Sequence, residues 1–248
     1  MKKSLILLTL SALLLYGAAA QEALPPSIPF DLSCTLTTDT CAIVPVDDSI
    51  TAPPHDRDFA TLLTLQQRRT PSLNRFWLPV SNSLALSPLP ALGYWVYGLS
   101  ADDSRYKYNA AELGASWLLT LGATTALKAT VRRPRPYQAH PSELRCLQPV
   151  RDPSFPSGHT SLCFATATTL TLMYPRWYVM VPAYLWAAGV GYSRMYIGAH
   201  YPTDVVAGAI LGTACAVLTH VARQHLARQH ETYWPMGDVV TVPLVFAF

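Results

Sequence analysis

The sequence predicts an all-α protein, a helical bundle embedded in a membrane by five spans, or six if its leader is retained. Two observations predict this. Half the residues are hydrophobic and only 13% are charged, about half the ~25% usual in soluble domains. From Leu84 onward the chain runs as successive apolar blocks of helical length, separated by short polar connections. The same blocks have a second reading, a soluble core whose central helices are apolar on every side.

The first element, residues 1–20, reads as a secretory signal peptide. Lys2 and Lys3 precede an apolar stretch, and Ala18-Ala19-Ala20 offers a small-residue cleavage site before Gln21. An uncleaved first membrane anchor is the alternative, and either reading sends the next segment out of the cytoplasm. Residues 21–58 form an exported segment rich in Pro, Asp and Thr, in which "ITAPPHDRDF" reads as a linker. Cys34 and Cys41 are close enough there for a local disulfide. Cys163 and Cys215 sit inside apolar runs, as small buried hydrophobes do.

Residues 59–222 form the main domain. It opens with an amphipathic helix from Phe59 to Arg69, stopped by Pro71. Five apolar blocks follow: Leu84–Leu99, Ala111–Leu127, Ser161–Tyr174, Trp177–Tyr192 and Val205–Val221. At ~1.5 Å per residue each is roughly 21–26 Å long, a little short of a bilayer core. Tyr94, Trp95, Tyr97, Tyr174, Trp177, Tyr178 and Tyr192 gather near block ends, as in an interfacial belt. Gly208 and Gly212 make a G-x-x-x-G face for close helix contact. Glu112, the one carboxylate inside the blocks, is expected to face a neighbouring helix. Residues 223–248 are expected to be a tail, with His220, His225 and His230 exposed rather than metal-bound. Within that tail "VVTVPLVFAF" could pass for a strand.

The connections differ in chemistry. "SADDSRYKYN" and "PR" are short and plain, whereas "KATVRRPRPYQAHPSELRCLQPVRDPSFPSGH" and "SRMYIGAHYPTD" are rich in basic groups and histidine. If the blocks are spans, both rich connections fall on one face, outside the cytoplasm. Arg223 and Arg228 then follow the last span on the inner side, as the positive-inside tendency requires. The net charge of +3 is too small and scattered to suggest a nucleic-acid partner.

Three clusters carry the chemistry: Lys128 with Arg135-Pro136, the stretch Pro156-Ser157-Gly158-His159, and Ser193-Arg194 with His200 and Asp204. Singly, each has an ordinary explanation. Lys128 complements a helix C-terminus, the arginines at 132, 133 and 135 form a solvated face, Ser157 caps a helix, and His200 pairs with Asp204. Together they describe an anion site. Lys128, Arg135 and Arg194 supply three cations, Ser157 a hydroxyl, and Gly158 lets a backbone N–H approach an oxyanion at a positive helix end. His200, held by Asp204 one helical turn away, can attack phosphorus, while His159 protonates the leaving oxygen and later activates water. No Asp/Glu cluster accompanies these loops to hold magnesium, so neither a metal nor another cofactor is expected.

The pattern K-x6-RP, PSGH, SR-x5-H-x3-D resembles the type 2 phosphatidic acid phosphatase superfamily, which also holds class A acid phosphatases and vanadium haloperoxidases. It is matched at Lys128, Arg135, Pro136, Pro156, Ser157, Gly158, His159, Ser193, Arg194, His200 and Asp204. The resemblance implies a helical bundle with the active site at one end. It also implies His200 as nucleophile and His159 as acid and base. "AHYPTDVVAGAILG" is more similar to the membrane lipid phosphatases than to the soluble enzymes. The expected activity is therefore hydrolysis of a lipid phosphate or diphosphate. Polyprenyl diphosphate, phosphatidic acid, phosphatidylglycerophosphate and lipid A are the candidate substrates, met at the periplasmic face of a bacterial cytoplasmic membrane. The alternatives are a soluble periplasmic acid phosphatase, a vanadate-dependent haloperoxidase, and a non-catalytic membrane protein.

Overall fold

The computed structural model describes residues 55–233, with side chains over 57–228. The leader, the Cys34–Cys41 pair and the terminal "VVTVPLVFAF" lie outside the described residues. Every regular element within them is a helix: α1 (His55–Gln67), α2 (Pro71–Asn82), a 3-10 turn (Ser83–Leu86), α3 (Leu89–Ser100), α4 (Ser104–Val131), the short α5 (Pro136–Ala139), α6 (Gly158–Met173), α7 (Trp177–Tyr196) and α8 (Pro202–Tyr233).

Helix α6 is the axis of the bundle, packed on α4, α7 and α8. Its closeness to α8 depends on two glycines. A Cβ at Gly212 would sit 2.0 Å from the Ser161 carbonyl oxygen, and one at Gly208 would sit 2.7 Å from that of Ser157. Only hydrogen at these positions lets the backbones meet, as the G-x-x-x-G spacing predicts. That contact seats the start of α8 against the start of α6.

The interior is small and hydroxylic. Ser116, Thr120, Thr160, Ser161, Thr166 and Thr169 are buried beside Cys163, Ala165, Ala167 and Ala187. The hydroxyls are satisfied locally: Thr169 Oγ1 reaches Ser116 Oγ at 3.0 Å and the Ala165 carbonyl at 2.8 Å. Many large aliphatic side chains point outward instead, with Leu118 and Leu185 each 68% exposed and Ile210 65%. Burial in water selects the reverse arrangement.

Several expectations are corrected. Pro71 does not simply stop a helix. With Thr70 accepting the Leu73 amide as cap, it starts α2, because proline is pre-set for a first helical turn. The block Leu84–Leu99 is not one helix, since it divides into the 3-10 turn and α3, which begins between Pro88 and Pro90. "HDRDF" is the first turn of α1 rather than linker. Helix α8 passes residue 222 unbroken, so no separate tail begins at 223. His220 is buried rather than exposed: its Nδ1 lies 2.7 Å from Oε1 of Glu112, whose other oxygen accepts from Arg223. Glu112 thus faces a neighbouring helix, as expected. Of the five expected spans, one helical stretch among the described residues is long and apolar enough to cross a membrane by length and composition, Pro202–Arg228, with mean hydropathy 1.9 over 18 of its residues.

Candidate active site

The residues of the three motifs meet at one end of the bundle, where α4 ends and α6 and α8 begin. Helix α4 closes with Arg132 in the left-handed conformation (φ 49°), which turns the chain back toward the axis. Arg135, 2% exposed, then reaches inward. Its Nη1 donates to the Ala199 carbonyl at 2.9 Å and lies 3.1 Å from Nε2 of His200. Between α7 and α8 the chain bends at Gly198 (φ +78°), where a Cβ would crowd Arg69 at 2.9 Å and the Arg145 carbonyl at 3.0 Å. Glycine there delivers His200 to the site.

His200 is 1% exposed and its ring state is determined by its neighbours. Arginine only donates, so Nε2 must be the acceptor and the ring proton sits on Nδ1. That proton faces Asp204 Oδ2 at 3.6 Å and Ser154 Oγ at 3.5 Å. Burial, with Arg135 and Arg194 nearby, outweighs Asp204 and pushes the imidazole down to about 3. It is neutral at physiological pH.

Asp204 is fully buried and held from every side. Oδ2 accepts from Ser154 Oγ at 2.5 Å and from the Tyr201 amide at 3.0 Å, while Oδ1 accepts from Arg133 Nη1 at 2.7 Å. Its carbonyl accepts the Ser157 amide at 3.0 Å, which ties the start of α6 to α8.

Ser157 is not a side-chain cap of α6. Its buried Oγ accepts from Thr160 Oγ1 at 2.9 Å, which leaves its own hydroxyl proton to donate. At Gly158 a Cβ would meet only an ordinary contact, 3.5 Å from Thr124. Packing does not demand glycine there, and its effect is to keep the helix mouth open. His159, half-buried, is within electrostatic reach of Arg194, His200, Arg135 and Asp152.

The cations are arranged unequally. Lys128 Nζ and Arg135 Nη2 each donate to Asp152, at 2.7 Å and 2.7 Å, one to each oxygen. Burial raises the Asp152 carboxyl, but Lys128 and Arg135 outweigh it and hold it at about 2. Arg194 is 2% exposed, and its Nη1 donates to Ser81 Oγ at 2.8 Å. Its Nε is buried with no hydrogen-bond partner among the described residues. Such an orphaned cationic donor is costly unless an anion meets it.

Sequence reasoning missed four residues of this constellation: Asp58, Arg133, Asp152 and Ser154. Arg133 was legible only as one arginine of a basic run. Asp152 and Ser154 lie within four residues of Pro156, and that proximity was the available signal. Nothing local marked Asp58, which is 146 positions from Asp204 in sequence.

The stretch of chain that carries the three motifs is similar to known proteins. The PAP2 superfamily profile matches residues 109–228. The chain is 41% identical over 68 residues to the undecaprenyl-diphosphatase of Sulfolobus acidocaldarius, covering 27% of this chain and 32% of the relative. It is 33% identical over 100 residues to the lipid A 1-phosphatase of Rhizobium johnstonii, covering 38% and 40%. The matches span about a third to a half of the length of such curated relatives. Among solved structures, LpxE of Aquifex aeolicus superposes with a TM-score of 0.53 at 26% identity, over 64% of this chain and 92% of that one. A transmembrane PAP2-type phosphatidylglycerolphosphate phosphatase from Bacillus subtilis has a TM-score of 0.57 at 23% identity, over 69% and 87%, and shows the shared fold.

Proposed function

Residues 109–228 of this chain are a PAP2 superfamily domain, and on that footing we propose that the protein is a metal-independent phosphatase of lipid phosphates or diphosphates. The carrying observation is Arg194. It is a buried cation with an unpartnered Nε, beside Arg135 and within reach of a histidine held neutral. Lys128, Arg135 and Arg194 less the charge of Asp152 leave two positive charges, the complement of a phosphate dianion.

The chemistry proceeds in two displacements. His200 Nε2 attacks phosphorus, the N–P bond forms, and the P–O bond to the leaving group breaks. Burial first, then Arg194 and Arg135, lower His159. The charge of the bound phosphate opposes that shift, so that the His159 imidazolium gives its proton to the departing oxygen. The cation generated on His200 keeps Nδ1–H directed at the Asp204 carboxylate, which stabilises it. Neutral His159 then takes a proton from water, whose oxygen attacks phosphorus as the N–P bond breaks. Lys128, Arg135, Arg194, the Ser157 hydroxyl and the Gly158 amide neutralise the oxygens throughout.

The lipid substrate and bilayer setting are supported by the inverted burial. Aliphatic side chains such as Leu118, Leu185, Ile210 and Leu218 cover the outside of a hydroxylic interior. That is the surface a hydrocarbon solvent stabilises. Five spans, and a site at the periplasmic face of a bacterial cytoplasmic membrane, belong to this reading. Arg223 and Arg228 lie toward the other end of α8 from Asp204, in keeping with that orientation.

The test is phosphate release by the full chain in detergent from polyprenyl diphosphate, phosphatidic acid, phosphatidylglycerophosphate and lipid A, beside a small soluble ester. The lipids are expected to exceed the soluble ester in kcat/KM. Preference for the soluble ester would support the acid-phosphatase reading instead.

A further inference from the structure

Arg133 stands between two carboxylates from distant parts of the chain. Its Nη1 donates to Asp204 Oδ1 at 2.7 Å and to Thr203 Oγ1 at 2.7 Å, and its Nη2 donates to Asp58 Oδ2 at 3.2 Å. Thr203 Oγ1 also donates to Asp58. The guanidinium carbon lies 3.9 Å from the centre of the Tyr201 ring. Asp58 on α1, Thr203 and Asp204 on α8, and an aromatic face therefore hold the guanidinium plane. A rigid planar fork suits this duty as a lysine does not.

Asp58 is anchored rather than incidental. Helix α1 buries Leu62 to 1% exposure against Leu144 and Tyr201, with Phe59, Leu63 and Met195 around them. Further along α1, Gln66 donates to the Glu143 carbonyl at 2.7 Å and accepts the Arg145 amide at 2.7 Å. After the helix, Arg69 donates to the Tyr196 carbonyl at 2.8 Å. These contacts strap α1 across the segment after α5 and the turn that carries His200. Asp58 is itself only 9% exposed, and a buried carboxylate without its partner is costly.

The geometry points to Arg133 and Asp58 as positioning residues for the His200–Asp204 pair, so that α1, which precedes the PAP2 domain, completes the catalytic apparatus. This rests on the reading of His200 as nucleophile. Arg133 occupies Asp204 Oδ1 and so leaves Oδ2 to face His200 Nδ1. Without it the carboxylate loses a charge-assisted bond and its orientation, and the imidazole loses the partner that stabilises its cation. The phosphate cradle of Lys128, Arg135 and Arg194 is untouched, so the loss falls on kcat rather than KM.

The experiment measures kcat and KM of the full chain in detergent on one phosphate ester, with thermal melts to count folded protein. Arg133→Gln is expected to lower kcat roughly tenfold per folded molecule with KM within about twofold. Asp58→Asn is expected to lower kcat less, and to add nothing in the Arg133→Gln background. Arg133→Lys, which keeps the charge but loses the fork, falls between. Full kcat in Arg133→Gln, or independent additive losses from the two sites, overturns the inference. Should Arg133→Gln not fold, an unchanged kcat in both Asp58→Asn and Arg133→Lys overturns it. His200→Ala is run beside them. If it is inactive while Arg133→Gln is not impaired, the nucleophile stands and the positioning role falls. If His200→Ala remains active, the reading beneath both falls.

Discussion

Arg135 Nη1 lies 3.1 Å from His200 Nε2. Because guanidinium has no lone pair to offer, this one contact determines the imidazole's tautomer, and it adds to the burial that holds the ring neutral. It directs the Nε2 lone pair toward Arg135 and the remaining ring proton toward Asp204. The same guanidinium meets the His200 ring and, through Asp152, is joined to Lys128.

The two histidines are expected to fail differently. His200→Ala should abolish turnover and any acid-labile phosphoenzyme in rapid-quench experiments with radiolabelled substrate. His159→Ala should slow turnover about 10²- to 10⁴-fold. With a good leaving group it should accumulate the phosphoenzyme, because hydrolysis then lacks its base. Phosphoenzyme formed by His200→Ala would move the nucleophile elsewhere.

Stability should fall with acid in two stages. His200 titrates at about 3 in the folded chain against an ordinary value of 6.5. Between those values the unfolded chain binds the extra proton, so stability is full above 6.5 and drains as pH falls toward 3. Asp152, at about 2 against 3.8, contributes stability above 3.8 that is lost as pH falls toward 2. Melting temperature measured between neutral pH and about pH 4 should therefore decline less in His200→Gln than in the parent chain. Parallel declines would contradict the neutral buried imidazole.

Asp152 joins Lys128 and Arg135 with a side chain 48% exposed, free enough to yield to a phosphate. Asp152→Asn should bind orthovanadate about 3- to 10-fold more tightly, since one negative charge leaves a partly solvated cradle. Inhibition titrations check it, and weaker inhibition would instead make Asp152 an organiser of the two cations.

Glycine positions separate close packing from open space. Gly212→Ala places a Cβ 2.0 Å from the Ser161 carbonyl oxygen and should cost ~1–3 kcal/mol or more, with loss of activity as α8 moves off α6. Gly122→Ala, on α4 with nothing among the described residues within 4 Å, should be accommodated without loss of activity. Thermal melts and turnover of the two variants distinguish them.

Much of the architecture is legible in the sequence because it is local. Apolar blocks report helices, and the G-x-x-x-G spacing reports a contact that the glycine geometry bears out. Prolines mislead where their role depends on position: Pro71, expected to stop a helix, starts one, and Pro90 lies in the first turn of α3, inside a block expected to be a single helix. His220 misleads because a five-residue histidine spacing hides a buried partner on another helix, Glu112.

By itself, the sequence determined the helical class, the apolar character and the three motifs whose side chains meet at the bundle's end, since spacing and composition are properties of neighbours along the chain. The tertiary structure alone decided which carboxylate meets which cation: Asp152 with Lys128 and Arg135, and Asp58 through Arg133 to Asp204. Charge pairing acts over a few ångströms of space and is indifferent to separation along the chain. No local pattern could therefore announce it.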